Sequence, residues 1–149
     1  MPDYCTLADA LSQLPNIGTL RDAATGPPAV TATQPSATQA AALLAAVTSE
    51  IDRKLRGQGA TTPATGPKAL AALKPICMDG TAARIALAKW PNASGPGAAP
   101  AAAEVCRANY LRGLDDIDAG RLTLDAPPDA STTFAHGFGD GTEEAVIPY

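Results

Sequence analysis

Ser36–Gly57 reads SATQAAALLAAVTSEIDRKLRG and carries the clearest helical pattern in the chain. Ala40, Leu43, Leu44, Val47, Ile51 and Leu55 recur at i, i+3 and i+4 spacing, which lines them up as one apolar stripe. Ser36 suits an N-cap, and Gln39 three positions on closes a capping box. Pro35 keeps the residue before it out of helical space. Arg53, Lys54 and Arg56 crowd the last turn, where cations oppose the negative end of the helix dipole, and Gly57 is placed to end the helix. A helix of this length spans about 30 Å. Its stripe needs apolar partners, and the segments on either side supply them.

Toward the N-terminus, Thr6 opens TLADALSQL as a cap, with Asp9 as an acidic third residue. Leu7, Ala10, Leu11 and Leu14 form its apolar face, and Pro15 ends it. Residues 18–35 read as a Gly-, Pro- and Thr-rich loop, long for a compact domain, in which Val30–Gln34 (VTATQ) is compatible with a short strand. Toward the C-terminus, a second loop, GQGATTPATG, leads to Pro67 at a favoured first helical position. The third helix extends to Trp90, with Leu70, Leu73, Cys77, Ile85 and Leu87 as its expected buried residues. Pro75 removes a backbone donor in mid-pattern and Asp79–Gly80 is a second weak point, so the expectation is a kinked helix or two short ones. Trp90, just before Pro91, reads as a lid on the core rather than a ligand platform.

Residues 91–100, PNASGPGAAP, form a connector. A fourth helix covers Ala101–Ala119, with Val105, Tyr110, Leu111, Leu114 and Ile117 as buried candidates and Gly120 at its end. Gly113 is either a soft spot or a place where another helix comes close. Arg121–Leu124 (RLTL) alternates like a short extended segment. The expected architecture is therefore all-α: a bundle of about four helices with long loops over residues 1–124, followed by an extended C-terminal arm, Asp125–Tyr149.

The chain of 149 residues fits one domain, and with aromatics at 4% its core must be built from Ala, Leu, Ile and Val. Net charge is −4 but unevenly spread: seven Lys and Arg against three acids in residues 36–90, and five acids with no Lys or Arg in residues 125–149. That imbalance suits attraction within or between subunits, or simply a solvated surface with an acidic tail. MPDYCTLADAL lacks the basic and apolar regions of a signal peptide, and no uncharged apolar run approaches the ~20 residues of a membrane span. Cys5, Cys77 and Cys106 are odd in number and far apart in sequence, which reads as reduced thiols of a cytosolic setting, with Cys77 and Cys106 as small core residues.

Catalytic, cofactor and metal motifs are not evident. His136 is the single histidine and lies in a Gly-rich tail without a rigid scaffold, and its HGFG context lacks any G-x-S-x-G partner. Gly137–Gly141 (GFGDG) has the wrong spacing and context for a phosphate loop. Asp115, Asp116 and Asp118 cluster near a helix C-terminus, which fits a solvated face, a carboxylate set facing a DNA channel, or a divalent-ion site. Arg53, Lys54, Arg56, Lys68 and Lys74 form a basic region. Nucleic-acid binding is one reading, but the chain is acidic overall and shows no stacking platform, which favours contacts to acidic arms of neighbouring subunits.

Three blocks in order support a resemblance. The first holds Tyr4, Thr6, Leu7 and Asp9, followed by Ser49, Glu50, Ile51 and Asp52. The second holds Pro67, Leu70, Leu73, Ile76 and Ala83. The third holds Tyr110, Leu114, Asp116, Ile117, Gly120, Arg121, Leu122 and Leu124. Over about residues 1–124 this resembles the head–tail connector (adaptor, or head-completion) proteins of long-tailed bacteriophages, including the Mu-like branch. The resemblance implies a helical virion protein without enzymatic activity or cofactor, assembled in the host cytoplasm into the phage neck. Its partners would be the portal protein, neighbouring adaptor subunits in a ring (typically a dodecamer), and a stopper or tail-terminator protein. Packaged DNA would pass through the channel without sequence-specific binding, and no membrane is involved. The arm would reach the portal or a neighbour. Expected contacts are Arg53, Lys54, Arg56, Phe134, Phe138, Val146, Ile147 and Tyr149, and expected channel-facing residues are Asp115, Asp116 and Asp118. The alternative function is a small helical DNA-binding or regulatory protein.

Overall fold

The computed structural model describes residues 3–14, 17, 20, 35–90, 101–122 and 124. It is all-α: four helices, α1 (Leu7–Ser12), α2 (Ala37–Gly57), α3 (Pro67–Lys89) and α4 (Ala101–Asp118), with no strand among the described residues. Val30–Gln34 and the arm from Asp125 onward lie outside the described residues. Leu122 and Leu124 belong to no strand and pack against the core.

The capping box expected at α2 forms, and the expected Thr6 cap of α1 is completed to a second box by Asp9. The Thr6 hydroxyl accepts from Asp9 N at 3.1 Å while the Asp9 carboxylate accepts from Thr6 N at 2.9 Å. Ser36 and Gln39 repeat the exchange at the start of α2. The C-terminus of α2 differs from expectation. Gly57 remains helical and Gln58 caps the end, while Gly59 takes the left-handed conformation (φ 76°) that glycine adopts at no steric cost.

α3 packs against all three other helices and most extensively against α4, so it, more than α2, is the element the others cover. It runs as one helix across Pro75, so of the two expectations, a kinked helix or two short ones, the second does not hold. Pro75 and residue 71, one turn earlier, are both exposed. The carbonyl that loses its donor therefore turns to water, while Leu73, Ile76 and Cys77 hold the opposite face in the core.

The buried faces of α3 and α4 are lined by small residues as much as by large ones. On α4 the buried set is Ala103, Cys106, Tyr110, Gly113 and Ile117, spaced by three and four, with Leu114 beside Gly113 on the same stripe. Val105 and Leu111 fall off this stripe and are 58% and 51% exposed, which corrects the expectation that they are core residues. On α3 the same correction applies to Leu70 and Leu87, exposed while Ala69, Gly80, Ala82 and Ala86 are buried. Two core clusters result. One centres on Val47, Ile51, Leu55, Leu73, Cys77 and Ile117. The other, built of Leu14, Ile17, Ala40, Ile85, Ala103 and Cys106, is covered in part by Trp90, as the lid reading expects. All three cysteines are buried, Cys5 included.

Candidate functional site

A groove of about 380 Å³ lies between α3 and α4. Ala83, Arg84 and Leu87 of α3 form one wall, Ala103, Glu104, Arg107 and Leu111 of α4 the other, and Trp90 closes one end. Leu87 is 65% exposed, so the groove presents apolar side chains to solvent. Tyr110 and Leu114 form part of the lining from the core side.

A polar network sits at the groove's inner edge. Glu50 of α2 accepts from the Tyr110 hydroxyl at 2.8 Å and from Arg84, whose guanidinium lies 5.9 Å from the Tyr110 ring centroid. Burial, then the bond to Glu50, pushes the Tyr110 hydroxyl above its ordinary range, so it remains a donor. Arg84 is thereby held over the ring rather than left to sample solvent. The arrangement offers a mixed surface: an apolar floor, an anchored Arg84, and Glu104 and Arg107 on the exposed side of α4. Such a surface suits a partner side chain that is apolar in the middle and polar at its edges.

The expected contact residues are distributed differently. Lys54 pairs with Asp118, which joins the basic region to the acidic cluster inside one chain. Gln58 reinforces that junction by donating to the Asp118 carbonyl at 2.6 Å. Arg53 is 73% exposed and 3.9 Å from Glu50. Arg56 donates to the Asp52 carbonyl at 3.3 Å. Asp116 accepts from Arg121, the pairing that their closeness in sequence suggests, and Asp115 is exposed. Lys74 pairs with Asp9 at 3.2 Å. The acidic arms of neighbours are thus not the sole candidates for the basic region, because part of it is satisfied within the chain. Phe134, Phe138, Val146, Ile147, Tyr149 and His136 lie outside the described residues.

Sequence reasoning did not nominate Glu50, Arg84, Leu87, Arg107 or Leu111 as site residues. The signal for the leucines was available: both fall off the small-residue stripes that α3 and α4 bury. The Glu50–Arg84 pair joins positions 34 apart and has no local signature. Among the described residues, no three His, Cys, Asp or Glu side chains are grouped to hold a metal ion, and no helix is long and apolar enough to cross a membrane. No family model, no curated protein and no solved structure matches the chain.

Proposed function

We propose that this chain is a structural assembly protein, an adaptor of the bacteriophage neck that joins a portal ring through side-by-side helix packing. The observation that carries the reading is the α3–α4 groove, where Leu87 and Leu111 stand exposed beside a fixed Arg84–Glu50–Tyr110 network. Exposed apolar side chains in a groove gain burial when a neighbour arrives, which is the driving force for ring assembly. The resemblance of residues 1–124 to head–tail connector proteins supplies the biological setting, and the all-α architecture suits it. The arm Asp125–Tyr149 is assigned to the portal or to a neighbouring subunit. The DNA-binding alternative is less favoured, because Lys54, Lys74, Arg84 and Arg121 are each engaged by a carboxylate of the same chain.

The test is sedimentation of the purified chain alone and with the portal ring of the same phage. The expected result is a monomer or weak oligomer alone and a stoichiometric complex with portal. A stable dimer indifferent to portal overturns the reading. A salt-dependent shift of duplex DNA by the isolated chain supports the alternative instead.

A further inference from the structure

We propose that Cys5 and Cys77 form an intrachain redox pair that closes to a disulfide and ties the N-terminal segment to the middle of α3. The two residues are 72 positions apart, so nothing in their spacing pairs them. In the fold their Sγ atoms lie 3.0 Å apart, with the Cys5 thiol donating to Cys77. Both belong to the same apolar cluster, Cys5 5% and Cys77 0% exposed. The Thr48 hydroxyl lies 3.9 Å from the Cys77 sulfur, and Thr81 one turn further along α3 is a second polar neighbour. Cys106 packs in the other core cluster and does not compete for either partner.

The position of Cys5 is fixed from both sides. One residue before it, the Tyr4 hydroxyl donates to Asp52 and accepts from Ala64 N at 3.0 Å. One residue after it, Thr6 begins the capping box with Asp9, which Lys74 of α3 also holds. Cys77 sits in the interior of α3, one turn beyond Leu73. Anchored neighbours on the one side and the interior of a helix on the other hold the two thiols within reach of each other. Two thiols in contact share their first proton loss. The bond from Cys5 stabilises charge on Cys77 and moves it below the ordinary thiol range, while the Cys5 thiol is pushed up by that same bond.

When a local opening of the buried site admits a peroxide as oxidant, the Cys77 thiolate attacks one peroxide oxygen. The O–O bond breaks, Cys77 becomes the sulfenic acid, and the departing hydroxide takes up the thiol proton as water. The Cys5 sulfur then attacks the Cys77 sulfur, the S–O bond breaks, and that hydroxide takes the Cys5 proton as a second water. Two thiols and one peroxide yield one disulfide and two waters. In a reducing compartment the pair stays a dithiol, and oxidation locks the segment preceding α1 onto α3.

The test uses the full reduced chain, treated with hydrogen peroxide, alkylated, and digested with trypsin without reductant. Peptide 1–21 is expected to be joined to peptide 69–84, with the intact mass lower by two hydrogens, while Cys106 in peptide 90–107 takes the alkyl label. Oxidised protein is expected to melt roughly 10 °C above reduced protein, since the bond closes a long loop. Cys5→Ser and Cys77→Ser each abolish the link and Cys106→Ser leaves it. Should either of the first two fail to fold, the wild-type peptide map decides alone. Cys5 and Cys77 remaining separately alkylated, Cys77 accumulating as sulfinic acid, or Cys106 entering the link each overturns the proposal.

Discussion

Gly80 lies directly beneath the Tyr110 ring: a Cβ at Gly80 would stand 2.5 Å from Tyr110 Cε2 and 2.6 Å from Cδ2. The relation is reciprocated one step along the helix pair, where a Cβ on Gly113 of α4 would meet Ile76 Cγ1 of α3 at 2.7 Å. Each helix therefore gives up a side chain where the other supplies a large one, and the two axes come close. Gly80→Ala is expected to destabilise by about 1–3 kcal/mol, because the ring cannot retreat while Glu50 holds its hydroxyl. Gly113→Ala is expected to cost a similar amount, since Cγ1, Cδ1 and Cγ2 of Ile76 all lie within 3.0 Å of the added Cβ and the χ1 of a β-branched helical residue is stiff. Gly57→Ala meets nothing within 4 Å and is expected to stabilise by up to about 1 kcal/mol through helix propensity. Urea unfolding midpoints of the three variants check this ordering.

Tyr4 is tied to two elements by one hydroxyl, which donates to the buried Asp52 carboxylate and accepts from Ala64 N. Tyr4→Phe leaves the carboxylate without that donor and the amide without its acceptor, an expected loss of about 2–3 kcal/mol. Burial, then the bond to Asp52, raises the Tyr4 hydroxyl to about 12. A raised folded value means that stability is present below the ordinary tyrosine value and is lost as pH rises through about 12. Alkaline unfolding of the wild type is therefore expected to include a step that Tyr4→Phe lacks, checked by circular dichroism against pH.

The helices and their starts were legible because caps are local: Thr6 with Asp9 and Ser36 with Gln39 are three residues apart and form as read. The buried faces were legible only where they are large. Leu73, Ile85, Tyr110, Leu114 and Ile117 were read correctly, but Leu70, Leu87, Val105 and Leu111 were assigned to the core on hydrophobicity alone. In this chain Ala and Gly occupy the closest helix contacts, so a small residue, rather than a large apolar one, marks the interface of α3 with α4. The groove was invisible for the same reason, since it is lined by the leucines the interface leaves out. The Cys5–Cys77 contact and the Arg84–Glu50 pair depend on tertiary placement and carry no sequence period.

Asp9 closes the cap of α1 and receives Lys74, and the bonds from Thr6 bring its carboxyl down to about 2. A lowered folded value contributes stability above the ordinary aspartate value of 3.8 and loses it as pH falls toward about 2. The melting temperature gap between wild type and Asp9→Ala is therefore expected to be widest near neutral pH and to close under acid. A gap that stays constant down to the acid limit would show that the carboxylate's charge contributes nothing to the cap.

Thr81 is fully buried on α3, and its hydroxyl makes no hydrogen bond of good geometry among the described residues, the Cys77 sulfur one turn back being its polar neighbour. An orphaned buried hydroxyl carries a desolvation cost that a methyl group of similar shape does not. Thr81→Val is expected to raise stability by about 1 kcal/mol, read from the urea midpoint at unchanged slope. A loss of similar size would place a partner, such as an ordered water, at the hydroxyl.

Leu87 and Leu111 separate surface from core within the same two helices. Leu73 is fully buried, and Leu73→Ala is expected to cost about 2–5 kcal/mol. Leu87→Ser and Leu111→Ser, at positions 65% and 51% exposed, are expected to leave the unfolding free energy within about 0.5 kcal/mol of wild type. Their effect is expected in association instead. Sedimentation at rising concentration should show less self-association for the double variant than for wild type, and weaker recruitment to a portal ring. If the double variant unfolds as readily as Leu73→Ala, the groove is part of the core and its leucines are not a docking surface. If it keeps both stability and association, the contact between subunits lies on another face of the bundle.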